Sequence, residues 1–156
     1  MKKLSLCLLL ALSVLTSCSS DEETATVVNE EGLSGEPLKG IVYGDPFTIG
    51  GGYARRQNIN QVESISLNIS SQQLDCDDAG SNGFPIYVLA PASVGTHTTN
   101  VSASFDDEET GGFVSTANIT VEITSITETM VKGKILAKTN SENNNINGAF
   151  SLPLCD

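Results

Sequence analysis

The best-patterned part of the sequence runs from Phe113 to Thr124 and reads FVSTANITVEIT. Alternation puts one set of residues on one face of a strand and a second set on the other: Phe113, Ser115, Ala117, Ile119, Val121 and Ile123 opposite Val114, Thr116, Asn118, Thr120 and Glu122. A period of two is typical of a strand with one face on a core and the other in solvent. The pattern predicts one long strand over residues 113–124, with Phe113 on the same face as Ile123.

The sequence on both sides continues this pattern. Residues 131–137 alternate in the same way, so residues 125–128 are expected to form the hairpin connection. Residues 63–70 place Ile65, Leu67 and Ile69 on one face. No apolar stripe recurs at helical spacing over ten residues. Further strands are predicted at 41–43, 46–56 with a bend at Gly50–Gly52, 84–90, 96–105 and 149–154, with loops at 106–112 and 140–147.

These runs amount to about eight strands at a spacing of roughly ten residues, the density of an all-β domain. Neighbouring runs are expected to pair antiparallel. The sequence therefore predicts a single all-β domain over residues 39–156, built as an antiparallel β-sandwich or a small β-barrel.

The first residues are typical of an export signal. Lys2 and Lys3 precede an apolar run from Leu4 to Leu15, which is too short to span a bilayer comfortably. The next residues complete Leu15-Thr16-Ser17-Cys18, which resembles the lipobox of bacterial lipoproteins. That resemblance implies a signal peptide over residues 1–17 and a diacylglyceryl group on Cys18, which would join the protein to the membrane. The alternative is an ordinary thiol at Cys18.

Residues 18–38 are predicted to form a lipidated cysteine followed by a flexible acidic tether. Its start, Ser19-Ser20-Asp21-Glu22-Glu23, is similar to the acidic signal that sends lipoproteins of Bacteroidota-type bacteria to the outside of the outer membrane. The resemblance implies a lipid-anchored protein of the outer membrane, displayed on the cell surface. The same residues also suit the beginning of a solvated linker.

The charge balance excludes one class of partner. Removing residues 1–17 takes away Lys2 and Lys3, which leaves 6 basic against 19 acidic residues and a formal charge of −13. Such a charge, taken over the whole chain, repels nucleic acid phosphates and anionic lipid headgroups, so we expect no binding to nucleic acid.

Two cysteines remain after the predicted processing, Cys76 and Cys155. An exported chain lies in an oxidising compartment, where an even pair favours a disulfide. Two free buried thiols or a metal pair are the alternatives. The metal pair is poorly supplied with ligands, because His97 is the only histidine.

The candidate sites are few. Residues 75–83 begin like a calcium loop, but Ala79 and Ile86 occupy positions where oxygen ligands belong, so a solvated loop is the alternative. Residues 106–109 are interpreted as a charged loop tip, and His97 as an exposed strand residue, because no nucleophile motif accompanies it. The sequence therefore predicts no catalytic residue, no metal site and no cofactor.

The order of features resembles the small all-β lipoproteins of unknown function that are common in Bacteroidota-type bacteria. The likeness lies in residues 117–121, 130–135 and 146–150, and it implies a β fold without supplying a catalytic residue.

Three functional hypotheses follow. The first is a non-catalytic module at the cell envelope that binds a glycan, a peptide or a partner protein, with Tyr43, Tyr53 and Tyr87 as the aromatics able to stack on a sugar. The second is a lipocalin-like barrel that carries a small apolar ligand. The third is an enzyme, which would need paired acids and His97 in one pocket.

Overall fold

Two layers of β-sheet enclose the core of this protein. The structure, a computed structural model, describes residues 32–59, 61–107, 110–140 and 143–155. The predicted signal peptide (1–17), Cys18 and the tether up to residue 31 lie outside the described residues. Within the described ranges there are eleven strands and one short 3₁₀ turn at Cys76–Asp78. The strands are β1 Lys39–Val42, β2 Asp45–Thr48, β3 Gly51–Ile59, β4 Val62–Ser70, β5 Ile86–Pro91, β6 Gly95–His97, β7 Ser102–Asp106, β8 Phe113–Thr116, β9 Ile119–Ile126, β10 Met130–Lys138 and β11 Asn145–Cys155.

The all-β prediction is confirmed, with eleven strands in place of about eight. Sheet A has the order β2-β1-β11-β10-β9-β6, and sheet B the order β3-β4-β5-β7-β8. Hydrogen bonding continues from one sheet to the other through β11, so nine strands follow one path from β6 to β8, and β1 and β2 branch from it at β11. The described path is not closed into a barrel, because β8 and β6 stand at its two ends. Of the two predicted architectures, the sandwich is the one observed.

The core lies between the two sheets. Sheet B contributes Ile65, Leu67 and Ile69 from β4, which confirms their predicted common face, together with Val88 from β5. Sheet A contributes fully buried residues from β9, β10 and β11, among them Val121, Ile135 and Ile146. Each apolar side chain of this size stabilises the fold by roughly 1.5–3 kcal/mol when it leaves water.

The predicted strand over residues 113–124 is wrong as one element. It is two strands, β8 in sheet B and β9 in sheet A, separated at Ala117 and Asn118. Val114 packs on the core in β8, whereas the odd-numbered Ile119 begins the core face of β9, so the pattern changes phase at the break. The Thr116 hydroxyl donates to the carbonyl of Lys138 at 2.9 Å and accepts from the Asn118 N–H at 2.9 Å, which holds the crossing in place.

Two further predicted runs also divide, because in each of them the chain passes from one sheet to the other. Residues 46–56 separate into β2 of sheet A and β3 of sheet B, and residues 96–105 separate into β6 of sheet A and β7 of sheet B. The predicted bend at Gly50–Gly52 lies at the first of these crossings. A Cβ on Gly52, whose φ is +144°, would collide with the backbone of Asn68, so only glycine fits this approach.

The last strand begins earlier than predicted, and it pairs antiparallel in sheet A and parallel in sheet B. Residues 145–147 were expected in a loop, but they pair with both β1 and β10. Further along, Leu154 and Cys155 pair with Ala54 and Arg55 of β3 in parallel. The expectation that all pairs are antiparallel is therefore wrong for β11 and β3, because β11 leaves sheet A and continues along the edge of sheet B.

Residues 32–38, which the sequence assigned to the tether, pack on β11. Leu38 is fully buried, and its N–H donates to the carbonyl of Ala149 at 2.9 Å. The Ser34 N–H donates to Asn147 Oδ1 at 2.9 Å, and Asn147 Nδ2 donates to the Gly32 carbonyl at 3.0 Å. The described end of the tether is therefore part of the folded domain.

The predicted disulfide is present. Cys76 and Cys155 are joined, with their Cα atoms 5.7 Å apart and a sequence separation of 79. The bond connects the loop after β4 to the end of β11. Both free thiols and a metal pair are thereby excluded for these two residues.

Replacing both Cys76 and Cys155 by Ser is expected to lower the free energy of unfolding by roughly 4–5 kcal/mol, because the unfolded chain gains the entropy of an open loop. Urea denaturation of the oxidised proteins measures the difference. A reductant should bring the wild-type protein to the level of the variant and leave the variant unchanged. Equal stability of the two oxidised proteins would show that the bond contributes nothing.

Candidate functional site

One open cleft lies on the outer face of sheet B, and we call it the outer cleft. Its floor is formed by Tyr53 of β3 and Asn68 of β4, which are cross-strand neighbours. One wall is the loop of residues 80–84, and the other is the β7–β8 hairpin from Asp106 to Phe113. The cleft has a volume of about 630 Å³, within the range of about 300–1,000 Å³ of small-molecule sites.

The aromatic residues of the cleft have two different roles. Tyr53 is only 8% exposed and lies outside the main core cluster. The Phe84 ring meets it edge to face, with centroids 5.0 Å apart, and the Arg55 guanidinium lies 5.6 Å from the centre of its ring. Tyr53 is therefore held by packing on both sides. Phe113 is 72% exposed, and it is the ring that a ligand can reach.

The position of Phe113 differs from the sequence prediction. It was expected on the core face with Ile123, but Val114 takes the core side in β8, and alternation then directs Phe113 outward. Phe113 pairs directly with Asp106 of β7. A signal for it exists in the sequence, since an aromatic residue follows Gly111-Gly112 at the end of an acidic hairpin loop.

Two carboxylates stand beside this ring. Asp107 Oδ2 accepts from the Thr110 hydroxyl at 2.6 Å, and its Oδ1 accepts from the Thr110 N–H at 3.3 Å, so Asp107 shapes the hairpin tip. The Asp106 carboxylate has no hydrogen-bond or ion-pair partner among the described residues. Partial burial raises its pKa above the ordinary aspartate value, because the charged form loses hydration there. The predicted charged loop tip is thus one wall of the cleft; Glu108 and Glu109 lie outside the described residues.

The loop of residues 75–83, which begins like a calcium loop but was not predicted to bind metal, makes the opposite wall. Its first carboxylate, Asp75, accepts from the Asp77 N–H at 2.9 Å, and Asp78 Oδ2 accepts from the Asp75 N–H at 3.1 Å. These bonds form a reciprocal cap on the 3₁₀ turn, so the two carboxylates bind the loop's own backbone. In the ranges that the structure describes, no group of three His, Cys, Asp or Glu side chains could hold a metal ion.

The other singled-out residues lie apart. His97 is on β6 of sheet A, where its Nε2 lies 2.8 Å from the Ser93 carbonyl, so it is not brought to the cleft. Tyr43 donates from its hydroxyl to the Phe105 carbonyl at 2.9 Å and packs on the core. Tyr87 pairs with Asn68 on the outer face, with its hydroxyl 3.2 Å from Gln57 Nε2. The three tyrosines therefore do not form one platform.

The disulfide positions the cleft. Cys76 follows the cap residue Asp75, and Cys155 pairs with Arg55 beside Tyr53. The start of the same loop is held by the Gly52 N–H, which donates to the Leu74 carbonyl at 2.7 Å. The loop is thereby fixed over the floor of the cleft at both places.

Comparison of the chain with family models, with curated proteins and with solved structures gave no match. Among the described residues, no helix has the length and apolar character needed to cross a membrane.

Replacing Asp106 by Asn is expected to raise the melting temperature at about pH 7 and to leave it unchanged at about pH 3. A raised pKa means that the folded protein holds this proton more tightly than the unfolded chain does. Stability is therefore lost as the pH rises from the ordinary aspartate range through the folded pKa, and the amide avoids that loss. Thermal melts of both proteins at the two pH values measure it, and a destabilised variant at neutral pH would contradict the expectation.

Proposed function

We propose that this chain is a non-catalytic binding module, tethered to the outer membrane through a lipid on Cys18, and that its outer cleft takes a neutral glycan. The observation that carries the proposal is the pairing, on neighbouring strands, of an exposed ring, Phe113, with Asp106, whose carboxylate has no partner among the described residues. A sugar presents an apolar C–H face and a rim of hydroxyls. Such a ligand would lie on the ring and donate to the carboxylate.

The other groups of the cleft suit the same ligand. The amides of Asn68 and Asn82 line it and can both donate and accept. Three carboxylates of the neighbouring loop, those of Asp75, Asp77 and Asp78, add negative charge to this end of the molecule. Anionic sugars are therefore disfavoured, and a neutral glycan fits best.

The alternative hypothesis, a barrel that carries a small apolar ligand, has less support. It requires a closed sheet around a cavity. Here the described strands form an open path, and the space between the layers is occupied by the side chains of the core cluster.

Phe113→Ala is expected to weaken glycan binding by about tenfold, because the ring supplies the stacking surface. A panel of neutral glycans identifies the ligand, and calorimetry on the two proteins measures the loss. The fold should not change, since the side chain is exposed. Val94→Ala is the matched control, because Val94 is 65% exposed on a turn outside the cleft. The absence of any bound neutral glycan, or equal affinity of Phe113→Ala and wild type, would refute the glycan site.

The anchor is tested separately. Cys18→Ser is expected to remove the acyl mass and release the protein from the membrane fraction, because two or three acyl chains at one residue provide nearly permanent attachment. Intact mass and fractionation provide the readouts, and protease treatment of whole cells reports surface display. Cys7→Ser, inside the predicted signal peptide, is the control that should stay acylated. An unmodified mature amino terminus in the wild-type protein would refute the lipid anchor.

A further inference from the structure

All four lysines of the chain after residue 17 lie on one face of the sandwich. Lys132, Lys134 and Lys138 follow one another on β10, and they alternate with the buried Val131, Gly133, Ile135 and Ala137. They therefore point away from the core, on the outer face of sheet A. Lys39 of β1 pairs with Asn147, which in turn pairs with Leu136 of β10, so it lies on the same outer face. We call this set of four residues the lysine face.

The lysine face is broad, and one of its four lysines forms an ion pair with another described residue. Strand spacings of about 4.8 Å and a rise of about 3.4 Å per residue place the four Cα atoms within roughly 10 by 20 Å. Lys134 forms an ion pair with Glu122 at 3.0 Å. Glu122 is the one carboxylate among the described strand residues of this outer face. A second acidic residue, Glu36, belongs to the segment before β1. Lys39, Lys132 and Lys138 are exposed.

The two sides of the molecule differ in charge. The described residues of sheet B and its loops carry six acidic residues against two arginines: Glu63, Asp75, Asp77, Asp78, Asp106 and Asp107 against Arg55 and Arg56. Sheet A carries four against four: Glu36, Asp45, Glu122 and Glu128 against the lysines. An anionic surface is therefore repelled least at sheet A.

The tether enters the domain on this same face. Asn147 faces outward between the strands that carry Lys39 and Leu136, and its side chain binds both the Ser34 N–H and the Gly32 carbonyl. The described chain therefore begins over the lysine face. A domain held by its amino terminus has this side nearest to the point of attachment.

We infer that the lysine face docks on the anionic lipid headgroups of the membrane that holds the tether. This inference rests on the proposed tethering through the amino terminus. Docking there would direct the outer cleft, on the opposite sheet, away from the membrane and toward the solution. Each lysine close to an anionic headgroup surface adds to the attraction, and the effect disappears within a Debye length.

The test reproduces the tether without lipidation, so that it does not depend on Cys18. Residues 19–156, which contain every described element and the disulfide, are given an amino-terminal histidine tag and bound to vesicles that contain a nickel-chelating lipid. One set of vesicles is otherwise phosphatidylcholine, and the other has a third of it replaced by phosphatidylglycerol. A water-soluble amine reagent then labels exposed lysines, and peptide mass spectrometry measures the extent at each position.

We expect labelling of Lys39, Lys132 and Lys138 to fall about fivefold on the anionic vesicles and to recover in roughly 0.5 M salt. The matched control is Arg55→Lys, which places a lysine on the outer face of sheet B; its labelling should be the same on both kinds of vesicle. A charge-reversed variant, Lys132→Glu with Lys138→Glu, should lose the protection at Lys39.

Equal labelling of the lysine face on both kinds of vesicle would overturn the inference, and so would an equal fall at position 55. A third outcome would also overturn the inference. The lysines would be fully protected without vesicles, and this protection would disappear when Glu30 and Glu31 are replaced by Gln. The lysine face would then bind the protein's own tether. Loss of acylation at Cys18 would refute the anchor and leave these measurements unaffected.

Discussion

The structure depends on one strand that belongs to both sheets. Over residues 145–153 β11 pairs with β10 in the middle of sheet A, and its last two residues pair with β3 at the edge of sheet B. Gly148 allows the backbone of Leu38 to approach this strand closely. Its φ is +150°, and a Cβ at this position would lie 2.5 Å from the Cα of Leu38. The segment before β1 can therefore approach β11 closely and seal the core with Leu38.

The end of β11 also helps to form the outer cleft. A chain terminus ordinarily frays, but here the disulfide to Cys76 joins it to the loop that forms one wall of the outer cleft. Tyr53, on the strand that β11 joins, is covered by Phe84 of that loop and by Arg55. One covalent bond thus positions the final strand, the cleft wall and the cleft floor together.

The two outer faces of the sandwich have different chemistry. Sheet B presents a cleft with an exposed ring and carboxylates, whereas sheet A presents lysines and the point where the tether enters. Opposite faces of a sandwich are separated by the full thickness of the core, so a contact at one leaves the other accessible. The proposed function, a binding module attached to a membrane, would use this separation between attachment and recognition.

Much of this was accessible from the sequence. Alternation identified the buried faces of β4, β9 and β10, because a period of two is a local property of an extended chain. The disulfide followed from counting, since two cysteines remain after Cys7 and Cys18 are assigned. What alternation cannot show is where a strand changes sheets. At Ala117 and Asn118 the chain leaves the strand conformation and its core side reverses, and this reversal brings Phe113 out to the cleft.

The sequence by itself therefore determined the all-β class, the half-buried character of the best-patterned strands and the pair of cysteines, all of which depend on residue type and on neighbours along the chain. The tertiary structure was needed to show where the runs divide, that β11 joins both sheets, that Phe113 stands beside Asp106, and that four lysines share a face with the segment that begins at Gly32. Those features arise from pairing between residues far apart in the chain, and the free energy of such pairing depends on which partners the whole fold brings together.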